Sequence, residues 1–352
     1  MKAARFYGKE DLRLEEIPEL TEVGPGQVKV KVGFAGICGS DLHVYYYPEL
    51  IPFISDEPHP LTGAKLPQIL GHEISGTIVE AGDDVDGLAV GDRGAVFPLV
   101  ATCGKCSACR NGVPMSCRLM AALGSNAASG GLSDFIVIDA DKFHRLPENV
   151  DLRMGALVEP MAVGWHAVVR SGAESGSTAL LVGAGPVGIG AWYAFRAMGI
   201  DNVLVSETNV ERRQGIAALG ATVIDPVNED LAGRIDEMTA GEGVSAAVEA
   251  SGSQSGFDSA MANLAPSGRV SVVAMYEEQV RFDAGNVMLG QREIVGAVGY
   301  EPQDFDDIIE AMSRGVYSTE GWVTEREFDA VETAIRELRD DAGSKILIKV
   351  NS

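Results

Sequence analysis

The chain has 352 residues, 46% hydrophobic and 22% charged, enough to bury cores in about two domains of ~100–200 residues and too apolar to be disordered. Acids outnumber bases 51 to 28, a formal net charge of −23. Such a surface repels phosphate backbones and anionic headgroups, which argues against a nucleic-acid binder or a protein held to a membrane by a basic patch.

The opening residues Met1 to Glu16 mix both signs of charge and lack the apolar core of a signal peptide, so the chain is expected to be cytoplasmic. From Val28 to about Leu146, short β-rich runs are broken by Gly and Pro. The expected strands are Val28 to Phe34, Ile74 to Glu80, Gly94 to Phe97 and Leu132 to Ile138, the texture of an all-β or barrel-like unit with long loops. Cys38 follows the first run, in Cys38-Gly39-Ser40-Asp41-Leu42-His43, and Gly71-His72-Glu73 opens the second. A catalytic zinc takes about three protein ligands and leaves one position open. Cys38, His72 and either Glu73 or Glu159 meet that count, Glu159 standing among apolar residues where an unpaired charge is costly.

Four of the five Cys fall within fifteen residues, as Cys103, Cys106, Cys109 and Cys117 in C-x2-C-x2-C-x7-C. In a cytosolic chain such clustering points to metal rather than disulfides. Four thiolates around one ion form a closed, structural zinc site in a lobe at about 100–120. A ferredoxin motif would continue x3-C-P, whereas here the fourth Cys is seven residues on and precedes Arg118.

After Thr178 strands and helices alternate, which implies a parallel, doubly wound sheet. The expected strands are Thr178 to Val182, Asn202 to Glu207, Thr222 to Asp225, Ser245 to Glu249, Arg269 to Met275 and Glu293 to Val298, with helices at Val187 to Met198, Val210 to Leu219 and Leu231 to Met238. Within this stretch TALLVGAGPVG runs from an apolar strand into G-x-G-x-x-G at Gly183, Gly185 and Gly188. Those glycines allow a tight turn, a close approach to a pyrophosphate and close helix packing, with the helix N-terminus facing the anion. The motif also explains why Ser175 to Phe195 is uncharged for 21 residues: it is a buried strand, turn and helix rather than a membrane span. Glu207 ends the next strand, where a carboxylate accepts the adenosine ribose hydroxyls and repels the 2′-phosphate of NADP, favouring NAD. Arg212 and Arg213 lie just beyond and soften that preference.

The tail carries a helix (Phe305 to Arg314), a polar helix (Phe328 to Asp340) and a strand (Lys345 to Val350), and is expected to return to the first domain. The expected division is therefore 1–155 with 300–352 as the β-rich domain, and 156–299 as an inserted α/β domain. Acidic runs such as Asp83-Asp84-Val85-Asp86 and Asp304-Phe305-Asp306-Asp307 are expected on the surface. With only 9 Lys beside 19 Arg, they fit a salt-rich cytoplasm as well as an acidic but ordinary one.

Taken together, CGSDLH at Cys38, GHE at His72, the four-Cys lobe, VEP at Glu159, GAGPVG at Gly183 and the acid Glu207 resemble the zinc-dependent medium-chain dehydrogenase/reductase (alcohol dehydrogenase) superfamily over the whole chain. The segment from Glu57 to Ala64 leading into Leu70-Gly71-His72-Glu73 is similar to the butanediol dehydrogenases of its polyol branch. Gly130-Gly131-Leu132-Ser133-Asp134-Phe135 departs from their usual GGFAEY. The resemblance implies a GroES-like β-rich catalytic domain, a Rossmann domain, two zinc ions and NAD. It implies zinc ligation by Cys38, His72 and a Glu, with Asp41 holding the His ring, Ser40 touching the substrate oxygen and His43 passing its proton outward. On the cofactor side it adds Val187 and Arg212, with Val273 to Met275 and Ala297 to Val298 near the nicotinamide. The reaction implied is oxidation of a secondary alcohol or vicinal diol, foremost (R,R)-2,3-butanediol to acetoin. Sorbitol, xylitol, threonine and sugar dehydrogenation are the same-class alternatives, and a non-catalytic NAD-binding paralogue is the alternative of another class. Relatives are commonly dimers or tetramers, so a homodimer or homotetramer is expected.

Overall fold

Val28, Val30 and Val32 are fully buried along Gln27–Ile37, the central strand of the first of two units in the computed structural model. The structure describes residues 1–51, 54–340 and 345–351. The first unit comprises Met1–Glu159 and Val323–Ser352, the second Pro160–Trp322.

In the first unit a seven-stranded sheet has the order Phe143–Arg145, Arg93–Val96, Glu73–Ala81, Gln27–Ile37, Lys345–Lys349 and Val323–Glu327, with Phe135–Asp139 also pairing on Gln27–Ile37. Its core gathers Phe6, Ile74, Ile78, Ile136, Ile335, Ile346 and Ile348. Two antiparallel registers position the chemistry. Gly36 lies opposite Glu73 on one side of the central strand, and Ile37 lies opposite Ile346 on the other. The expected strand Leu132 to Ile138 begins only at Phe135. Ahead of it Gly131 N and Leu132 N donate to Gly71 O and Leu70 O at 2.7 and 3.0 Å, so this segment braces the approach to His72 instead of joining the sheet.

The second unit holds six parallel strands in the order Thr222–Ile224, Asn202–Ser206, Thr178–Val182, Val244–Glu249, Leu264–Val272 and Glu293–Gly296. This is the doubly wound Rossmann arrangement, in which ligands bind outside the carboxyl ends of the strands. Three helices follow the expected pattern at Pro186–Ala197, Val210–Ala218 and Leu231–Thr239. The strand expected at Arg269 to Met275 runs Leu264–Val272, which leaves Val273 to Met275 just past its carboxyl end.

The return to the first unit comes later than residue 300, at Val323. Helix Pro302–Ser313 buries Phe305, Ile308, Ile309 and Met312 within the second unit. Asp304, expected on the surface, is buried: it accepts from Glu301 N at 2.7 Å and lies 3.1 Å from His166 Nδ1. Downstream, the Tyr193 hydroxyl and Trp322 Nε1 both donate to Ser318 O, at 3.1 and 2.7 Å. The apolar face of that helix outweighs its run of acids. Among the described residues no helix is long and apolar enough to cross a membrane.

Candidate active site

Cys38 leaves the central strand in extended conformation (φ −97°) and stands at the N-terminal cap of helix Gly39–Tyr46. Asp41, buried in the first turn, turns back to accept the Cys38 N–H at 2.9 Å through Oδ2, while its Oδ1 lies 3.7 Å from His72 Nδ1. The carboxylate thus fixes the cysteine backbone and faces one nitrogen of the imidazole. The other nitrogen, Nε2, is 3.5 Å from Ser40 Oγ. Ser40 and His43 are exposed on the same helix, three residues apart, and share a face. Burial disfavours the charged His72 ring, but Asp41 and Cys38 outweigh it and hold the imidazole well above its ordinary value.

Ligand atoms of Cys38, His72 and Glu73 lie within 4.8 Å of one another. Glu73 is fully buried, and a Cβ on Gly36 would come within 1.8 Å of its Oε2, so the cross-strand partner has to be glycine. Oε1 accepts from Lys345 Nζ at 2.5 Å, and Oε2 has no hydrogen-bond partner among the described residues. Lys345 also donates to Ile37 O at 3.1 Å. Burial works against its charge, yet Glu73 and Cys38 hold its pKa above the usual lysine value. Glu159 is buried at the second position of helix Val158–Ser171, outside this set of close donors, and its charge acts on both His72 and Lys345. A thiol, an imidazole and a carboxylate with one orphaned oxygen form a donor set that fits zinc.

Sequence reasoning missed Lys345. No local pattern marks a lysine 272 residues from Glu73 as its partner; only the pairing of Lys345–Lys349 on the central strand brings it there.

The sulfurs of Cys103, Cys106, Cys109 and Cys117 also gather within 4.8 Å, unbonded to one another by disulfide. Backbone amides of Lys105 and Cys106 bring the Cys103 thiol down to about 6. The Cys109 amide favours the Cys106 thiolate as well, but the neighbouring thiols prevail and push Cys106 up to about 11. Thiols so crowded cannot all ionise without a cation among them, which fits a four-sulfur metal site.

In the second unit Gly183 adopts φ +97°, and a Cβ there would meet the Ala250–Ser251 backbone at 2.9 Å. A Cβ on Gly188 would meet Gly183 O at 2.1 Å, whereas at Gly185 only an Arg212 nitrogen lies within 4.0 Å. Two glycines therefore close the turn and the middle one opens onto the crevice. Glu207, expected to end its strand, is buried one residue past strand Asn202–Ser206, Oε2 accepting from Ala184 N and Oε1 from Asn209 N, each at 2.7 Å. It ties the Gly183 turn to the end of strand Asn202–Ser206. Arg213 is engaged by Asp225 at 2.8 Å, which leaves Arg212 nearer the turn. Val187 sits in the first turn of Pro186–Ala197, and Ala297 N donates to Val272 O at 2.9 Å, which holds Ala297 at the strand end that Val273 follows.

Comparison with known proteins agrees with both halves. Residues 24–148 match the alcohol dehydrogenase GroES-like domain and residues 186–314 the zinc-binding dehydrogenase domain. The chain is 35% identical to the (R,R)-butanediol dehydrogenase of Bacillus subtilis (strain 168), covering 100% of both chains. It is 31% identical to the sorbitol dehydrogenase of the same organism, over 96% of this chain and 94% of that one. The crystal structure of 2R,3R-butanediol dehydrogenase from Bacillus subtilis superposes with a TM-score of 0.90 at 34% identity, over 99% of each chain. The chain belongs to the zinc-dependent medium-chain dehydrogenase/reductase superfamily. It is an NAD-dependent zinc alcohol dehydrogenase with a GroES-like domain and a Rossmann domain.

Proposed function

We propose that the protein interconverts (R,R)-2,3-butanediol and acetoin with NAD, the reading carried by full-length similarity to butanediol dehydrogenases together with the Cys38, His72 and Glu73 cluster. Cys38 and His72 would hold the catalytic zinc with a carboxylate from Glu73 or Glu159, and the four-Cys lobe would hold the structural ion. Zinc supplies Lewis acidity that lowers the pKa of an alcohol, and NAD supplies the hydride-acceptor chemistry. Asp41 orients the His72 ring through Nδ1. Ser40 Oγ would accept the hydroxyl proton as it gives up its own toward His43, and His43, exposed one turn on, would release a proton to solvent. Glu207 selects the free ribose of NAD, while Gly183, Gly185, Val187, Gly188 and Arg212 cradle the pyrophosphate and adenosine. Val273, Met275, Ala297 and Val298 flank the nicotinamide.

The enzyme works in the cytoplasm; five cysteines without a disulfide among them support that reading. It works as a homodimer or homotetramer. In support, the edge strand Glu293–Gly296 is largely exposed, with Met288, Leu289, Ile294 and Val298 exposed around it. Steady-state rates with butanediol stereoisomers, acetoin, sorbitol and threonine, each with NAD and NADP, test the substrate. The (R,R)-diol with NAD is expected to show the highest kcat/KM; a tenfold preference for sorbitol or threonine would overturn the assignment.

A further inference from the structure

Glu249 ends the strand Val244–Glu249 fully buried, and among the described residues no cation pairs with it. A carboxylate so placed is costly unless its lone pairs are met. Here neutral donors meet them: Ser251 N at 2.8 Å, Gly252 N at 3.4 Å, the Ser251 hydroxyl and the Tyr276 hydroxyl. The same residue's carbonyl accepts from Val273 N at 3.0 Å and Ala274 N at 3.4 Å. Its side chain and main chain thus lace together two segments that leave the sheet at neighbouring strand ends, 249–252 and 273–276.

The first segment adjoins the glycine turn, and the second packs on the first. Ala250 N donates to Val182 O at 2.8 Å, and the Gly183 turn lies against the Ala250–Ser251 backbone. Gly252, at φ +67°, packs so closely on Met275 O that a Cβ would come within 2.6 Å. Ser251, Gly252, Met275 and Tyr276 also line a cavity of about 1070 Å³ outside these strand ends. Ligands of such sheets bind on that side. Burial and the Glu249 carboxylate push the Tyr276 phenol well up, so it remains an O–H donor.

We infer that Glu249 is a positioning residue for the nicotinamide half of the dinucleotide, acting through Tyr276 and Ser251 to fix the backbone at Val273 to Met275. The inference rests on the dinucleotide reading above and adds a residue to it. Without this brace the adenosine half still finds Glu207 and the glycine turn, while the segment meant for the nicotinamide loses its fixed place.

Calorimetric titration of the full chain with NAD and with ADP-ribose, which lacks the nicotinamide, separates the halves. Tyr276→Phe removes one hydroxyl and leaves the ring. It is expected to weaken NAD about tenfold, the scale of one hydrogen bond to a charged group, and to change ADP-ribose less than twofold. Glu249→Gln is expected to show the same split, more strongly. Equal weakening of both ligands, or unchanged NAD binding in Tyr276→Phe, would overturn the role of Glu249. Failure of the wild-type chain to bind ADP-ribose would instead overturn the dinucleotide reading and the inference with it.

Discussion

Lys345 Nζ meets Glu73 with only 4% of the lysine side chain and none of the glutamate side chain exposed. Breaking one partner of such a pair leaves a buried charge uncompensated, at a cost of about 3–5 kcal/mol. Lys345→Met is therefore expected to lower the unfolding free energy by that amount in urea titrations of the zinc-free protein, and adding Glu73→Gln should restore much of it. A loss under about 1 kcal/mol would show that the pair is solvated rather than buried. The pair also bears on the third zinc ligand. The close donor set contains Glu73, but Lys345 already neutralises that carboxylate, whereas Glu159 carries its charge toward the same site from the helix. Metal analysis should accordingly find Glu159→Gln losing more zinc than Glu73→Gln; the reverse order would give the ligand role to Glu73.

At the scale of elements, the Rossmann half was the more legible in sequence, because a buried strand, a glycine turn and a helix follow one another within Thr178 to Ala197. The close approaches at Gly183 and Gly188 give the reason glycine stands at those two positions. Gly188→Ala would drive a Cβ against the Gly183 carbonyl, an atom that cannot yield without moving the turn. It is expected to weaken NAD at least about tenfold and to destabilise the chain by about 1–3 kcal/mol, as overpacking does; calorimetry and urea unfolding measure the two effects. In the β-rich half the motifs at Cys38 and His72 were legible, but what unites them was not. Gly36 facing Glu73 and Ile37 facing Ile346 are matters of register between distant segments. Glu249 escaped notice for the same reason: its donors Ser251 and Tyr276 become neighbours only when adjacent strands pair. The boundary near residue 300 misplaced helix Pro302–Ser313 by assigning the whole tail to the first domain, whereas Phe305, Ile308 and Met312 anchor the helix in the second unit.

Across the whole molecule the net charge of −23 is the dominant long-range term. Asp83, Asp84 and Asp86 are exposed as the sequence implied, while Asp304 is not. Self-repulsion among exposed acids is screened as the Debye length falls to ~3 Å at 1 M salt. Melting temperature and activity are therefore expected to rise from low to molar KCl, and indifference to salt would remove the idea of a salt-rich cytoplasm. The proposed homo-oligomer would form through the exposed apolar residues around Glu293–Gly296; Leu289→Glu should then shift the species seen by light scattering toward monomer. The proposed turnover of the diol depends on zinc held by Cys38. The most direct measurement compares wild type and Cys38→Ser for metal content, NAD binding and (R,R)-butanediol oxidation, with zinc withdrawn from the wild type and then restored. Two zinc ions per wild-type chain and one in the variant are expected, with NAD binding intact. Turnover should be abolished in the variant and in the zinc-stripped wild type, returning in the latter with zinc. Near-wild-type turnover by either zinc-deficient form would contradict that dependence.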